Sequence, residues 1–234
     1  MSVSEDISAF FARVSDTQTA IETIDDPFFK RALLLSLLDA LASCAYPSVK
    51  INRNRFVSII DTYSQWSDKD RYSLRQLYFC LNDIRDPSKY PTLPSLKQEV
   101  QARLGRWPAE SQLLFPKDVD PTRQELQSFI VGDIDRVIEK VRYPSLVWVI
   151  RNYAVHELSH PGGGMDFDIG RPDPYYHQLT QFETGQRSWE LFFPIEFISK
   201  LVTDSATNLQ QHFLQNKVNP WTSFVRKANW YTGT

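Results

Sequence analysis

The sequence predicts an all-α fold, a helical bundle that carries one small β-hairpin near its C-terminal third. Apolar residues recur at helical spacing through most of the 234 residues. The chain has only 8 Gly and has 14 Pro, a composition that argues against a many-turned all-β sandwich. With 42% hydrophobic and 23% charged residues, the composition is that of an ordinary globular protein, so disorder and fibrous repeats are excluded. The length predicts a single domain over residues 1–234.

The N-terminal half predicts several helices. Ser4 begins the first, because acids occupy its first turn and apolar residues follow at helical spacing. Asp26-Pro27 begins the second, Pro27 to Tyr46, which is apolar on nearly every side and is expected to be the central helix of the bundle. The next helices are one capped by Asn52 or Asn54, one through Leu74 and Leu81, and a short one from Ser95 to Leu104.

The C-terminal half begins after a proline-rich connecting segment at 86–121. An apolar stripe from Leu126 to Val141 predicts further helix, and a strongly apolar helix follows from Leu146 to about His160. This helix is expected to pack against the apolar stretch Phe28 to Leu41. Residues 161–193 are interpreted as a loop or β-hairpin insertion, with the hairpin between Tyr175 and Phe193. The last predicted helix runs from Pro194 to about Asn216.

The charge balance limits the partners of the chain. A formal net charge of -2 and a pI near 6.1 exclude a protein that coats nucleic acid electrostatically, so RNA must be bound by a local patch. Arg136, Lys140 and Arg142 could contribute to an RNA groove or could simply lie on a solvated helix face.

The sequence predicts a cytoplasmic protein with no membrane partner. Acids rather than basic residues begin the chain, which is unlike a secretory signal, and two cysteines cannot form a disulfide framework. The most apolar window, Phe28 to Leu41, is interrupted by Lys30, Arg31 and Asp39 and is too short to span a bilayer.

One decapeptide, Arg151 to His160, contains the residues that suggest chemistry. Arg151, Asn152 and His156 form an Arg-Asn-x-x-x-His pattern. On an α-helix Asn152 and His156 share a face, whereas Arg151 lies about 140° from His156 and must curl its side chain to reach it. An imidazole can exchange protons at neutral pH, and a guanidinium can stabilise a phosphate in its transition state. The pair suits metal-independent cleavage of RNA by its own 2′-hydroxyl.

The same stretch also contains a zinc-peptidase pattern, His156-Glu157-x-x-His160, extended by Gly163 and Asp166. Pro161 follows the second histidine directly, and no methionine lies beyond Met165 to form the turn beneath a metzincin site. The half of the chain before the motif is also helical rather than strand-rich. We therefore expect no metal and no cofactor, and the zinc peptidase stays a third alternative.

A simpler alternative is structural. Arg151 and His156 near a helix C-terminus could bind the last carbonyls and compensate the helix dipole, each contributing about 0.3 to 1 kcal/mol. His160 is interpreted as such a cap. Trp148 is interpreted as a core residue because it lies within the apolar helix.

Residues Arg151 to His156 resemble the signature of the HEPN superfamily, in which an Arg, a polar residue and a His five positions after the Arg lie on a late helix of a bundle. Residues Lys30 to Leu41 are similar to an early helix of HEPN proteins associated with bacterial plasmids and phage defence, and Phe192 to Phe197 are similar to their C-terminal portion.

The resemblance implies a HEPN-type helical bundle that forms a homodimer, with both copies of Arg151 and His156 facing one groove. It implies a metal-independent endoribonuclease that leaves a 2′,3′-cyclic phosphate, acting in a toxin–antitoxin pair or in antiviral defence with an antitoxin or defence partner. Arg151 would stabilise the phosphorane, His156 would be the acid/base, and Asn152 would support them. Leu158 replaces the Tyr that nucleotidyltransferase antitoxins modify in related proteins. The alternative is a noncatalytic HEPN dimer that binds a nucleotide or a partner.

Overall fold

The protein is described here by a computed structural model, which places residues 2–109, 113–161, 171–180, 185 and 187–222. These residues are mostly helical and include one two-stranded antiparallel sheet. The predicted fold class, an all-α chain with a small hairpin near the C-terminal third, is confirmed. No helix among the described residues is long and apolar enough to cross a membrane.

The chain divides into two compact units, each assembled from separate stretches. Unit 1 comprises Met1–Trp66, Trp148–Gly170 and Ile195–Thr234, and unit 2 comprises Ser67–Val147 and Arg171–Pro194. The boundary at Val147 lies inside a helix. The single-domain organisation expected from the chain length stays a prediction.

Unit 1 consists of long helices. Their bounds are α1 Val3–Glu22, α2 Pro27–Ala45, α3 Asn52–Tyr63 and α10 Ile195–Asn216, together with the end of α9, Tyr143–Asn152. A capping box between Ser2 and Glu5 fixes the start of α1 at Val3, one residue before the predicted start at Ser4. No side chain caps α3, whose N-cap is Ile51, so the predicted cap at Asn52 or Asn54 is wrong.

Helix α2 is the centre of unit 1. Asp26 caps its start by accepting a hydrogen bond from the Phe29 N–H, and Pro27 occupies the first helical position, as predicted. The helix packs against α1, α3 and α10. Its buried apolar residues are Leu34, Leu35, Leu38, Leu41, Ala42 and Cys44. Burial is not complete, however, because Phe29 and Leu33 are 54% and 43% exposed.

Unit 2 consists of shorter elements. Its helices are α4 Leu74–Asn82, α5 Leu93–Leu104, α6 Pro116–Val119, α7 Arg123–Leu126, α8 Ile134–Ile138 and the start of α9, with 3₁₀ turns at Pro87–Lys89, Gln127–Phe129 and Glu139–Val141. The helix predicted over the apolar stripe from Leu126 to Val141 is interrupted, because the helical backbone stops after Phe129 and resumes at Ile134, with Gly132 between them at a φ of +66°. The apolar stripe is nevertheless buried, with Leu126, Ile134 and Ile138 at 0% exposure.

The predicted hairpin is present. Strands β1 Tyr175–Thr180 and β2 Arg187–Phe192 pair antiparallel in a register that places Tyr175 opposite Phe192 and Thr180 opposite Arg187. Residues 181–184 and 186 of its connection lie outside the described residues, as do Gly162 to Gly164, Met165 and Asp166.

A buried carboxylate, Asp120, joins three elements of unit 2. Its Oδ1 accepts the Leu74 N–H at 2.8 Å, which ties it to the start of α4, and its Oδ2 accepts the hydroxyls of Tyr143 and of Tyr176, the latter at 2.8 Å. The Tyr176 hydroxyl also lies 2.8 Å from Oγ of Ser73, the N-cap residue of α4. Asp120 therefore links α9 and β1 to the start of α4. Burial raises the pKa of Asp120 from 3.8 to about 7, against the lowering effect of the Tyr143, Leu74 and Tyr176 hydrogen bonds.

This raised pKa predicts a pH-dependent stability. The folded state binds the Asp120 proton up to about pH 7 and the unfolded state only up to about pH 4, so the free energy of unfolding falls as pH rises through this interval. The expected slope is about 1.4 kcal/mol per pH unit at most. Urea denaturation at pH 5 and pH 8 checks it. Asp120→Asn, which cannot ionise, is expected to reduce the difference in unfolding free energy between the two pH values, and an unchanged difference would contradict the assignment.

Candidate functional site

The three predicted site residues lie where α9 ends. Arg151 and Asn152 are the last residues of α9, and His156 lies in the π turn that follows directly, Tyr153–Glu157. The helical run stops at Leu158, which has a left-handed conformation with φ 47°. The amides of Leu158 and Ser159 both donate to the Tyr153 carbonyl. The predicted continuation of this helix to His160 is therefore wrong.

The π turn brings Arg151 and His156 together. A π turn closes i→i+5 hydrogen bonds, so it contains one residue more per turn than an α-helix and aligns side chains that are five positions apart. Arg151 Nη1 lies 2.8 Å from His156 Nε2. The structure thus places the predicted pair in contact, by a change of helical pitch and not by the curled side chain that an α-helix would require.

Four groups hold the Arg151 guanidinium. Besides His156, its Nη1 donates to Asn152 Oδ1 at 3.2 Å, and its Nη2 donates to Asp39 Oδ2 at 2.7 Å. The guanidinium carbon lies 5.0 Å from the centroid of the Trp148 ring, a cation–π contact. With an Arg151 side chain that is 12% exposed, the guanidinium is fixed among these partners.

Trp148 packs between Arg151 and α3. Its ring packs on Phe56 of α3 with centroids 5.3 Å apart, and its face meets Arg151. The sequence interpretation of Trp148 as a core residue covers the first contact and misses the second.

His156 is the exposed member of the site. Arginine donates hydrogen bonds and does not accept them, so Nε2 of His156 is unprotonated in this contact. The proton of the neutral ring therefore lies on Nδ1. Nε2 carries the lone pair that a general base would use, and in this state Arg151 occupies it.

Asp39 is the site residue that sequence reasoning missed. It lies on α2, its side chain is 16% exposed, and its carboxylate pairs with Arg151, 112 positions further along the chain. The available signal was an acid inside the apolar stretch Phe28 to Leu41. An acid in such a position needs a cationic partner once it is buried, but the sequence does not say which cation supplies it.

The second histidine of the zinc-peptidase pattern does not extend the site along a helix. Because the helix ends before Leu158, His156 and His160 are not one helical turn apart. The His160 Nδ1 lies 3.4 Å from Arg31 Nη1, and its ring packs edge-on against Phe28. No three His, Cys, Asp or Glu side chains of the described residues cluster as metal ligands would. Within the described part of the chain, which leaves out Gly163 and Asp166, the geometry gives the zinc alternative no support.

Two of the three basic residues considered for an RNA groove, Arg136 and Arg142, form ion pairs within unit 2. Arg142 is 8% exposed and binds Glu139, and Arg136 pairs with Asp133 at 3.6 Å on the surface. Arg142 thus has a structural role, while Arg136 lies on a solvated face as the alternative interpretation holds.

Comparisons of the chain with protein-family models, with curated proteins and with solved structures give no match. The HEPN resemblance therefore rests on the motif residues quoted above.

Proposed function

We propose that the protein is a metal-independent endoribonuclease of the HEPN type. The observation that carries the proposal is the 2.8 Å contact between Arg151 Nη1 and the Nε2 of an exposed imidazole, His156. A cation able to bind a phosphate and a group able to accept a proton meet at one point, as cleavage by the RNA 2′-hydroxyl requires. Asn152 fixes the same guanidinium nitrogen, which agrees with the supporting role that the resemblance implies.

The proposed reaction is an intramolecular transfer of the phosphodiester. A phosphate oxygen replaces His156 as the acceptor of the Arg151 N–H, which frees Nε2 to take the proton of the 2′-hydroxyl. O2′ then bonds to phosphorus, and Arg151 stabilises the charge of the phosphorane. The P–O5′ bond breaks, and an imidazolium gives its proton to O5′, leaving a 2′,3′-cyclic phosphate and a 5′-hydroxyl.

This chemistry calls for an acid and a base, and one subunit brings one His156. The homodimer that the HEPN resemblance implies would bring a second His156 to the groove, so a dimer belongs to the proposal. The exposed residues Phe29 and Leu33 of α2 show that unit 1 presents apolar surface. An antitoxin or defence partner stays an expectation, and Leu158, 71% exposed, stands where a modifiable Tyr would be.

RNA cleavage in the presence of EDTA tests the proposal. The wild-type protein is expected to cleave RNA and to leave 2′,3′-cyclic phosphate ends. His156→Ala removes the base and is expected to lower the rate by about 10² to 10⁴-fold. His212→Ala, on the exposed side of α10, is the matched control and is expected to cleave at the wild-type rate. Cleavage that needs a divalent metal, or that survives in His156→Ala, would refute the mechanism.

One observation favours the noncatalytic alternative. Arg151 Nη1 already donates one hydrogen to His156 and the other to Asn152. In this conformation Nη1 therefore has no hydrogen left to donate to a phosphate. A binding protein with a fixed guanidinium predicts no RNA cleavage at any protein concentration and little effect of His156→Ala on partner binding. The EDTA experiment therefore distinguishes the two functions.

A further inference from the structure

We propose that Asp39 is the positioning residue of this site, holding Arg151 in the orientation that serves His156 and the phosphate. This inference rests on the proposed function. It assigns a role to a side chain of α2 that lies outside the Arg-Asn-x-x-x-His signature and that reaches the site through Arg151 alone among the described residues.

The geometry of the Asp39–Arg151 pair supports this role. One carboxylate oxygen, Oδ2, accepts from Nη2 at 2.7 Å. The other oxygen, Oδ1, and the Arg151 Nε–H are both buried and make no hydrogen bond with any described residue. Nε and Nη2 form one edge of a guanidinium, the edge that a carboxylate binds with two oxygens. The two unpaired atoms thus belong to the two partners of one buried ion pair, each next to the atom that makes the observed hydrogen bond.

Asp39 and the reacting groups use different edges of the guanidinium. Asp39 lies on the Nη2 side, whereas His156 and Asn152 both lie on Nη1. A phosphate that replaces His156 at Nη1 therefore leaves the Asp39 contact in place. The carboxylate is the one acidic partner of Arg151 in the described part of the chain, so it determines which edge of the guanidinium is left for the substrate.

Asp39→Asn is the informative substitution because it keeps the size of the side chain and removes its charge. A carboxamide has one acceptor oxygen, and its amino group would face an arginine N–H donor to donor. Arg151 is then expected to lose its fixed orientation and its contact with His156 Nε2. Misplacement of this kind lowers kcat by about 100-fold.

The tautomer of neutral His156 gives a readout that a purely structural role would not move. Nitrogen-15 NMR of the neutral ring separates the Nδ1–H form from the Nε2–H form. The wild-type protein is expected to show the Nδ1–H form because Arg151 donates to Nε2. In Asp39→Asn the Nε2–H form is expected to become the major one. Asp16→Asn, an exposed acid of α1, is the matched control and is expected to change neither the tautomer nor kcat.

The proposal holds if Asp39→Asn lowers kcat and changes the tautomer while KM moves by less than about threefold, a loss confined to the chemical step. It is overturned if kcat falls with the tautomer unchanged, if the tautomer changes with kcat unchanged, or if neither changes. If Asp39→Asn does not fold, Asp39→Glu replaces it. The longer acid keeps the charge and is expected to restore folding with kcat about tenfold below wild type, and a wild-type kcat and tautomer would overturn the role.

The two proposals fail in different ways. If the wild-type protein does not cleave RNA, the proposed function fails, and the catalytic role of Asp39 fails with it even where the tautomer responds. If the wild-type protein cleaves RNA in EDTA and Asp39→Asn cleaves equally well, the positioning role fails alone.

Discussion

Arg151→Ala is expected to lower kcat/KM for RNA cleavage by about 10³-fold, a loss comparable with that expected for His156→Ala. The guanidinium is the one group of the described site that carries the positive charge needed for the phosphorane, and it also contacts His156. Removing it takes away charge stabilisation and leaves the imidazole without its fixed partner. Single-turnover cleavage of RNA in EDTA measures the loss.

Arg151→Lys separates charge from geometry. A lysine keeps the positive charge but presents one ammonium group, which cannot bind Asp39 on one edge and His156 with Asn152 on the other. We expect its rate to lie between those of the wild type and Arg151→Ala. Equal rates for the lysine variant and the wild type would show that charge alone suffices, and wild-type cleavage by Arg151→Ala would remove Arg151 from the mechanism.

A control for folding accompanies these variants. Arg151→Ala leaves the mostly buried Asp39 without its cation, which is expected to cost about 3 kcal/mol of stability. Cleavage is therefore compared at a temperature at which circular dichroism shows each variant to be folded.

Asp120→Ala is expected to lower the free energy of unfolding by about 3 kcal/mol or more. The substitution leaves the Leu74 amide and the hydroxyls of Tyr143 and Tyr176 without their acceptor in an environment where Asp120 is 2% exposed. Urea denaturation at pH 6, where Asp120 is largely protonated and its burial is least costly, measures the effect.

The matched control is Asp118→Ala, an exposed acid two positions away, expected to change stability by less than about 0.5 kcal/mol. Tyr176→Phe removes one donor and keeps the ring, so a smaller loss of about 1 kcal/mol is expected. An Asp120→Ala protein as stable as the wild type would mean that the carboxylate does not hold α4, α9 and β1 together.

The start of a helix in this chain is predictable where a side chain caps it. Asp26-Pro27 begins α2 as expected because the cap and the proline act locally. The start of α3 is mispredicted because packing determines it without a cap, its N-cap residue being Ile51. The break at Gly132 is also missed, since the apolar positions on both sides remain buried in one core and keep their periodicity.

The candidate site was predictable in its residues and not in its geometry. The spacing of Arg151 and His156 is visible in the sequence. The π turn is not visible there, because hydrophobic periodicity does not register one extra residue in a helical turn. The pairing of Asp39 with Arg151 could not be predicted for another reason. Its partner lies 112 positions further along the chain, and pairing at that distance depends on how α2 packs against the π turn.

The π turn makes the site depend on chain length as well as on residue type. Deleting the one residue between Tyr153 and Val155 would let the backbone close ordinary i→i+4 hydrogen bonds. The imidazole would then be four positions from Arg151, a spacing at which an α-helix also makes two side chains neighbours. The five-position spacing of Arg151 and His156 suits a π turn, so the type of helix and the number of residues between the two groups are matched to each other.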